Sequence, residues 1–488
     1  MSVLLILAIF WPALAGAAVW FVPQCRADRV LRGRLNCAAL VLELLLVLCM
    51  FAAKDLSVNL LQMTPTLSIY LHVDSVGCVF AALETAMWLA SCFFAREYME
   101  HDEHEASYQA FFMTVLSALV GQCFAGSMIT LYVFYELMTL LSVPMVVHER
   151  TPQAVAAGIK YLVYSIFGAM MGLLGIFFFN HALGTVDFVA GGHMAAGEIS
   201  GALLVVTFLV LMGFGTKAGL FPMHGWLPTA HPVAPAPASA VLSGVITKAG
   251  VLAVIRVIYF LVGPKALAGT WVQFAFMILT LTTVFMGSML AYREPLLKKR
   301  LAYSTVSQVS YVLFGLSCFM PDAMNGALLH VCAHSIIKDT LFLCAGAIIH
   351  QSGKTMVADM KGIGKEMPVT LWCWTIASLG LIGIPPTSGF VSKWLLAEGS
   401  LADGMGILSV LGPIVLIISA LLTAAYLLQL TINGFFPGKE FDYASVRKLD
   451  PGMLMKGPMI TLAALVVLTG IFAAPILSLV ADVVAAVL

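Results

Sequence analysis

The stretch LIGIPPTSGFVSKW, residues 381–394, is decisive for the fold because it places helix breakers and a charge inside an apolar segment. Pro385 and Pro386 interrupt what would otherwise be a membrane-spanning helix, and Lys393 follows the interruption. Proline removes a backbone donor and ends or kinks a helix, and Gly389 is expected to keep the backbone loose. Irregular backbone at membrane depth is tolerated only inside protein or along a water-filled cavity. The stretch therefore predicts a broken transmembrane helix whose lysine lies beside a hydrated interior.

The composition is that of a polytopic membrane protein. The chain has 488 residues, of which 61% are hydrophobic and 10% charged. Soluble domains carry about 25% charged residues, and the apolar runs, about 20 residues long, suit helices rather than barrel strands. We therefore predict an all-α membrane protein. A net charge of zero does not support nucleic-acid binding. Ten scattered cysteines without a C-x-x-C pair do not support a metal, haem or disulfide framework, and we expect no cofactor.

The hydropathy pattern predicts fourteen transmembrane helices, with two inverted repeats of five helices. The two interrupted spans lie five spans apart and enter the membrane from opposite sides, which is typical of inverted repeats with a site at their interface. The predicted spans are 2–22, 36–53, 72–94, 108–126, 128–147, 155–179, 201–230 (interrupted), 236–262, 270–291, 301–319, 323–349, 368–399 (interrupted), 405–436 and 457–485. The predicted domains are three N-terminal helices (1–107), the first repeat (108–262), the second repeat (263–436) and a C-terminal loop and helix (437–488).

The basic residues predict the orientation. Loops on one side of the predicted membrane carry eighteen Lys and Arg residues, whereas the opposite loops carry only Lys54 and Lys265. Positive charge favours the cytoplasmic side. We therefore expect a multi-pass protein of a prokaryotic cytoplasmic membrane with both termini outside.

Five basic residues remain inside the predicted spans. They are Lys217, Lys248, Arg256, Lys338 and Lys393. A charge at the bilayer centre costs at least ~2.5–3.5 kcal/mol on insertion scales and is usually paired and functional. Arg256 lies near the outer end of its span, where a long side chain can reach the interface, and we interpret it as an anchor. For the four lysines the alternative to function is structural ion pairing between helices.

The first repeat contains a candidate carboxylate–lysine pair. Lys217 lies in the first interrupted span, within GFGTKAGLFPMHGWLP, and Glu136 of the fifth span is its natural partner, because a buried carboxylate keeps its charge only beside a cation. His224 and His231 follow toward the cytoplasmic side, where they either feed protons or cap a proline-rich turn. Lys248 lies about 18 Å from the inner end of its helix, near the middle of the bilayer.

The eleventh span carries a polar stripe. His330, His334 and Lys338 are spaced i, i+4, i+8, which places them on one face of one helix. Histidine titrates near neutral pH and so exchanges protons readily. A metal site is the rival interpretation, but no Asp, Glu or Cys completes it on that face and Lys338 would repel a cation, so no metal is predicted. Asp339 points about 100° away and either tunes Lys338 or pairs elsewhere.

Four motifs occur in a family-specific order. They are FYEL around Glu136, GTKAGLFPMHGWLPTAHPVAPAPASAVLSGVITKAG, HSIIKDTLFLCAGAIIH and GIPPTSGFVSKW. With these motifs the chain resembles the antiporter-like, proton-translocating subunits of respiratory complex I, Mrp-type cation/proton antiporters and membrane-bound hydrogenases. The middle complex I subunit usually carries Glu at the position of Lys393, so a lysine there fits the Mrp D-type subunit or its hydrogenase relatives better.

The resemblance implies a role for each buried group. Glu136 and Lys217 would form the coupled pair of the first half-channel, and Lys248 would pass protons along the membrane mid-plane. His330, His334 and Lys338 would form the central axis of the second half, and Lys393 would hand protons to the outward half-channel. The expected partners are the bilayer, other membrane subunits and protons.

Two alternative functions remain open at this point. One is a subunit that moves sodium in exchange for protons, for which the hydroxyls of Thr387 and Ser388 near the break are the sequence sign. The other is a scaffold that has lost transport. No redox motif occurs, so electron transfer is expected in partner subunits. Glu43 and Glu84 match no family motif and stay unassigned.

Overall fold

A computed structural model describes residues 1–439, 441–443 and 446–488 as a helical bundle. The N-terminal part contains α1 (Ser2–Phe21), α2 (Pro23–Ala27), α3 (Arg29–Met50), the strands β1 (Ser57–Thr64) and β2 (Leu67–His72), and α4 (Ser75–Tyr98). The next part contains α5 (Glu105–Cys123), α6 (Met128–Val146), α7 (Pro152–Leu183), α8 (Gly201–Ala218) and α9 (Leu227–Val233). A continuous rod follows, built from α10 (Ala236–Val241), the π-helical turn π1 (Leu242–Ile246), α11 (Thr247–Ile255) and the π-helical turn π2 (Arg256–Val262).

The second half repeats this pattern of long helices with one break. It contains α12 (Pro264–Leu267), α13 (Trp271–Arg293), α14 (Leu297–Ser317), α15 (Pro321–Ser352), a 3₁₀ turn (Val357–Met360) and α16 (Ile363–Glu366). It continues with α17 (Pro368–Ile382), α18 (Ser388–Ala402) and α19 (Ile407–Phe435). The C-terminal helices are α20 (Met453–Ile471) and α21 (Ala473–Val487).

The predicted all-α membrane architecture is confirmed, whereas the count of fourteen spans is not. Within the described ranges, eleven helices are long and apolar enough to cross a membrane. The other three predicted spans coincide with α5, α14 and the broken pair α17/α18. Helix α14 is low in hydropathy because it is rich in serine, and those hydroxyls face the protein interior rather than lipid: Ser304, Ser307 and Ser310 are fully buried.

A hairpin between α3 and α4 was not predicted. Strands β1 and β2 pair antiparallel, with Ser57 opposite His72. The side chains of β1 are mostly exposed, so no apolar alternation marks the strands in the sequence. The hairpin is tied to the α5–α6 connection, because the hydroxyl of Tyr70 donates to the Gly126 carbonyl at 2.7 Å. The hairpin therefore packs against the connection between α5 and α6.

Two helices form the centre of the bundle. Every residue of the Ala236–Val262 rod is buried, as is α15 from 326 to 348. A helix that is apolar on all sides belongs inside a large protein or membrane bundle. The rod and α15 also pack against each other. The titratable groups within these buried stretches are therefore held in the interior of the protein.

Both interrupted spans are broken as predicted. Helix α8 ends before Gly219, whose φ is +79°, and α17 ends before Gly383, whose φ is +91°. These are left-handed conformations that glycine adopts without a steric penalty, and they commonly end helices. The last carbonyls of a helix have no partner within that helix. At the end of α8 the Thr216 carbonyl accepts from the Trp226 indole, and at the end of α17 two carbonyls accept from Lys393.

The role expected for Gly389 is wrong. It lies in the first turn of α18 and allows close packing rather than a loose backbone, because a β-carbon on it would lie 1.9 Å from the Gly380 carbonyl oxygen. We expect Gly389→Ala to destabilise the protein by about 1–3 kcal/mol, the cost of overpacking a well-packed core. The measurement is the thermal unfolding midpoint of the purified assembly. Gly457→Ala is the matched control, since its β-carbon would meet nothing within 4 Å. Equal midpoints for the two variants would refute this packing role.

Candidate ion pathway

Lys217 occupies an aromatic and hydroxyl cage at the end of α8. Its side chain is fully buried. Its Nζ donates to the Tyr161 hydroxyl at 2.7 Å and to the Ser165 hydroxyl at 2.9 Å, both on α7. The ring centroids of Tyr161, Trp226 and Tyr135 lie 4.1, 5.7 and 5.9 Å from Nζ. Hydroxyl oxygens and ring faces both stabilise a cation, so this site can hold an ammonium group without a carboxylate in contact.

Glu136 lies near Lys217 but does not bond to it. It is half-buried on α6, and its charge acts on the lysine. In the described part of the chain its Oε1 atom is buried and has no hydrogen-bond partner. A buried acceptor without a donor is unfavourable. The structure therefore holds the lysine on Tyr161 and Ser165 and leaves this carboxylate oxygen able to accept a proton.

Lys248 joins the two halves of the protein. Its Nζ lies 2.6 Å from Nδ1 of His334 on α15 and donates to the Ser243 carbonyl at 2.8 Å. Ser243 belongs to π1, and π-helical turns are frequent at functional sites. A direct contact between an ammonium group and an imidazole nitrogen lets one proton pass between them without a solvent bridge. The first repeat is thus connected to the histidine stripe.

The histidine stripe continues to the second break. The rings of His334 and His330 are 6.0 Å apart, and Nδ1 of His330 lies 2.9 Å from the Ser392 hydroxyl. Ser392 precedes Lys393 in α18. The Tyr311 ring stacks on His330 at 5.6 Å, and Nζ of Lys393 lies 5.0 Å from the centre of the same ring. These contacts bring the stripe predicted on one helix face to the lysine of the broken span.

Lys393 is held by the free end of α17. Its half-buried side chain donates to the Leu381 carbonyl at 2.6 Å and to the Ile382 carbonyl at 3.1 Å. The carboxyl end of a helix carries partial negative charge, so these carbonyls stabilise the ammonium group. Lys217 lies before its break, whereas Lys393 lies after its own. The two lysines therefore lie on opposite sides of their breaks and are stabilised by different groups.

Lys338 lies at the end of the stripe that is remote from Lys393. Its Nζ donates to the Leu301 carbonyl at 3.0 Å. His231 is fully buried, stacks on Phe342 at 4.7 Å and is affected by the charge of Lys338. Both ring nitrogens of His231 lack a partner in the described residues, so its ring does not cap the turn. His224 is half-buried and stacks on Phe221 at 5.9 Å.

Asp339 faces α4 and π1 rather than Lys338. It is fully buried, accepts from the Ser91 hydroxyl at 3.5 Å and acts on Lys248. Gly244 in π1 leaves the space for it, because a β-carbon there would lie 1.8 Å from Oδ1. Of the two possibilities left by the sequence, Asp339 therefore pairs elsewhere.

The hydroxyls at the second break differ in their contacts. The Thr387 hydroxyl donates to the Ile384 carbonyl at 2.7 Å. The Ser388 hydroxyl is buried and lacks a hydrogen-bond partner among the residues that the structure describes.

Sequence reasoning missed several members of this site. Tyr161 and Ser165 are common residues, and only the helix spacing i, i+4 on α7 marks them as a pair. Glu84 of α4 was left unassigned, yet its charge acts on Lys248. The interpretation of Arg256 as an interfacial anchor is wrong: its side chain is 1% exposed and forms an ion pair with Asp74. The ion pair with Asp74 offsets the high cost of burying the Arg256 guanidinium.

Comparisons with known proteins agree with the motifs. The model of the NADH:quinone oxidoreductase/Mrp antiporter transmembrane family matches residues 125–423. NADH-quinone oxidoreductase subunit N of Desulforudis audaxviator is 31% identical over 85% of this chain and 84% of that protein. The D-type subunit of the Na⁺/H⁺ antiporter of Alkalihalophilus pseudofirmus is 27% identical over 98% of this chain and 95% of its own.

The fold is also that of a known membrane complex. The chain superposes on a chain in the structure of the Mrp complex from Dietzia sp. DQ12-45-1b with a TM-score of 0.85 and 23% identity, covering 100% of this chain and 98% of the other. The resemblance stated from four motifs is therefore confirmed, and it extends over nearly the whole chain.

Proposed function

Because the chain belongs to the NADH:quinone oxidoreductase/Mrp antiporter transmembrane family, we propose that it is a membrane subunit of a multisubunit complex and that it translocates protons. The contact between Lys248 and His334 at 2.6 Å carries this proposal, because it links the two halves into one buried polar chain. Ionisable groups inside membranes are costly and mark proton or ion pathways. A scaffold has no need for such a chain.

The transfer is electrostatically driven. A redox or ion-binding step in a partner subunit perturbs Glu136 and Lys217, and loss of the carboxylate charge drives the lysine proton toward Lys248. The proton then passes to His334 and His330. Repulsion between neighbouring protonated lysines favours its release at Lys393 toward the outside.

The partner complex is of the complex I, hydrogenase or Mrp type. The relatives found by comparison include subunit N of an NADH-quinone oxidoreductase and the D-type subunit of a Na⁺/H⁺ antiporter. The near-complete coverage of the antiporter subunit, together with a lysine at position 393, supports a D-type arrangement. Electron transfer or cation exchange then takes place with the partner subunits.

The membrane orientation is part of this proposal. The bias of basic loops supports a prokaryotic cytoplasmic membrane with both termini outside. The repeat boundaries at 108–262 and 263–436 are supported by the matching breaks after Ala218 and Ile382. Within that frame the proton is favoured over sodium, because the groups that meet along the chain, Lys248, His334 and His330, carry nitrogen atoms that exchange protons rather than the oxygen atoms that bind hard cations.

Replacement of the two break lysines tests the function. Lys217→Ala and Lys393→Ala, each in the assembled complex, are expected to lower proton transport into membrane vesicles about tenfold or more, because each removes a positioned proton carrier. A pH-sensitive dye reports transport, normalised to the amount of assembled complex. Lys365→Ala, an exposed lysine on a connecting turn, is the matched control. Unchanged transport in both variants would refute proton translocation by this chain.

A further inference from the structure

An apolar groove lies along α1, where this helix packs beside α5 and α6. The groove has a volume of about 410 Å³, and its walls include Ala17 and Trp20 of α1 and Phe111 of α5. Thr114 also lines it, but the Thr114 hydroxyl donates to the Ala110 carbonyl of its own helix at 2.7 Å. Hydrocarbon and aromatic rings therefore make up most of the surface of the groove.

Small residues on α1 create this groove. Ala13, Gly16 and Ala17 line it, and a β-carbon on Gly16 would lie 2.7 Å from the Ala110 carbonyl oxygen. The two helices thus touch at Gly16 and leave a hollow beside the contact. From Ala13 to Phe21 the groove extends about 12 Å along α1, at 1.5 Å per residue. One end of the groove therefore lies at the carboxyl end of α1, and the other points toward the middle of this span.

An arginine lies beside the groove at the carboxyl end of α1. The guanidinium carbon of Arg26 is 4.8 Å from the centre of the Trp20 ring, and both side chains are exposed. Tryptophan is enriched where a membrane meets water. A guanidinium group can stack on a ring and still offer N–H groups in the geometry that a phosphate accepts. Arg26 can therefore bind a phosphate group at the open end of the groove.

The two carboxylates next to Arg26 in sequence and in space are already bonded to other groups. Glu105 accepts from Nη2 of Arg32 at 2.5 Å and lies 3.1 Å from Nε of Arg29. Asp28 accepts from two backbone N–H groups at the start of α3. The Arg26 carbonyl accepts from Nη1 of Arg32 at 2.8 Å, which brings a second guanidinium group close to this corner. The guanidinium group of Arg26 thus keeps its positive charge available to a ligand.

We propose that this groove binds one anionic phospholipid, with an acyl chain along α1 and the phosphate group on Arg26. The groove is apolar toward the middle of the span and basic at its end, which is the order of tail and head in such a lipid. Basic pockets between transmembrane helices bind anionic head groups. A helix of a partner protein fits less well, because it is 10–12 Å across and roughly one or two turns would fill this volume.

Lipid binding by the purified assembled complex tests the head-group contact. The complex is titrated with phosphatidylglycerol or with zwitterionic phosphatidylcholine, and native mass spectrometry counts the lipid molecules that it retains. We expect Arg26→Gln to weaken phosphatidylglycerol binding about fivefold, the factor that corresponds to about 1 kcal/mol for one arginine at an anionic lipid surface. Phosphatidylcholine binding should stay unchanged. Arg447→Gln is the matched control, since Arg447 is an exposed arginine in a different connection, between α19 and α20.

A second variant tests the acyl-chain contact. Ala17→Phe fills the groove and should remove one retained phosphatidylglycerol molecule per copy of the chain. Ala156→Phe is its control, because Ala156 is exposed on α7 and the substitution adds the same ring there. If the complex with Ala17→Phe does not assemble, Ala17→Leu takes its place.

Three results would overturn this lipid site. The first is equal phosphatidylglycerol binding by the parent, Arg26→Gln and the Ala17 variant. The second is equal weakening of both lipids by Arg26→Gln, because the charge of the head group would then have no role. The third is loss of a partner subunit from the Ala17 variant with unchanged lipid binding, which would show that a protein occupies the groove. Lipid retention requires no transport, so none of these results bears on the proposed function.

Discussion

Lys248→Met is expected to reduce proton transport by the assembled complex roughly a hundredfold, the scale on which positioned proton-transfer groups contribute. Lys248 connects the two halves of the protein, because its Nζ contacts both the Ser243 carbonyl and Nδ1 of His334. Methionine has a similar length and an apolar side chain, so it removes the proton carrier while it fills the same space. The loss should appear as a slower rate with a normal amount of assembled complex.

The measurement is dye-reported proton transport in vesicles, driven by the substrate or cation of the partner subunits. Lys265→Met is the matched control, because Lys265 is an exposed lysine in α12. We expect the control to transport at the parent rate. Transport by Lys248→Met at more than about half of the parent rate would contradict the role of Lys248. Loss of a positioned proton carrier should slow transport far more than about twofold.

His334→Leu is expected to lower proton transport about tenfold. This loss is smaller than the one expected for Lys248→Met, because other polar groups remain close to the space between Lys248 and His330. In the proposed pathway His334 accepts the proton directly from Lys248, whose Nζ it contacts, and it lies 6.0 Å, ring to ring, from His330. Leucine fills most of the imidazole volume but cannot carry a proton. The remaining path from Lys248 to His330 would then depend on water entering a fully buried site.

His181→Leu provides the control for this variant, because His181 is exposed at the end of α7. Transport by this control should equal that of the parent complex. His334→Gln separates hydrogen bonding from proton transfer, since glutamine accepts a hydrogen bond from Lys248 but does not titrate. We expect His334→Gln to be as slow as His334→Leu; a glutamine variant at the parent rate would show that His334 only positions Lys248.

Local sequence rules were sufficient for the breaks and for the histidine stripe. Proline and glycine predict a broken span from a few neighbouring residues, and Gly219 and Gly383 end their helices as those rules require. The i, i+4 spacing of His330 and His334 likewise depends only on helix geometry. Both features are properties of a single segment, which is why they could be predicted without knowledge of packing.

The contacts of the buried charges could not be predicted in the same way. Which helix faces Lys217 depends on packing between distant segments, and the structure places hydroxyls of α7 there rather than Glu136 in contact. The same limitation left Glu84 unassigned and led to the wrong interpretation of Arg256. Because it is costly to bury a charged side chain, a charged residue in a buried segment predicts that a partner exists. The cost does not identify that partner.

The hairpin and the number of spans show a second limit. Hydropathy reports how well a helix fits lipid, whereas α14 is polar because it packs inside the protein, and β1 is exposed. Neither element presents an apolar periodicity that sequence analysis can detect.

The double variant Lys248→Met/His334→Leu tests most directly whether the proton passes through one continuous chain. Residues that act in series on one path do not have independent effects, whereas residues on separate paths do. A single buried chain predicts that the double variant transports protons at the rate of Lys248→Met alone, within about twofold. A further loss of about tenfold, the full effect of His334→Leu, would show that the two residues act on separate routes and would contradict a single buried path through the two halves.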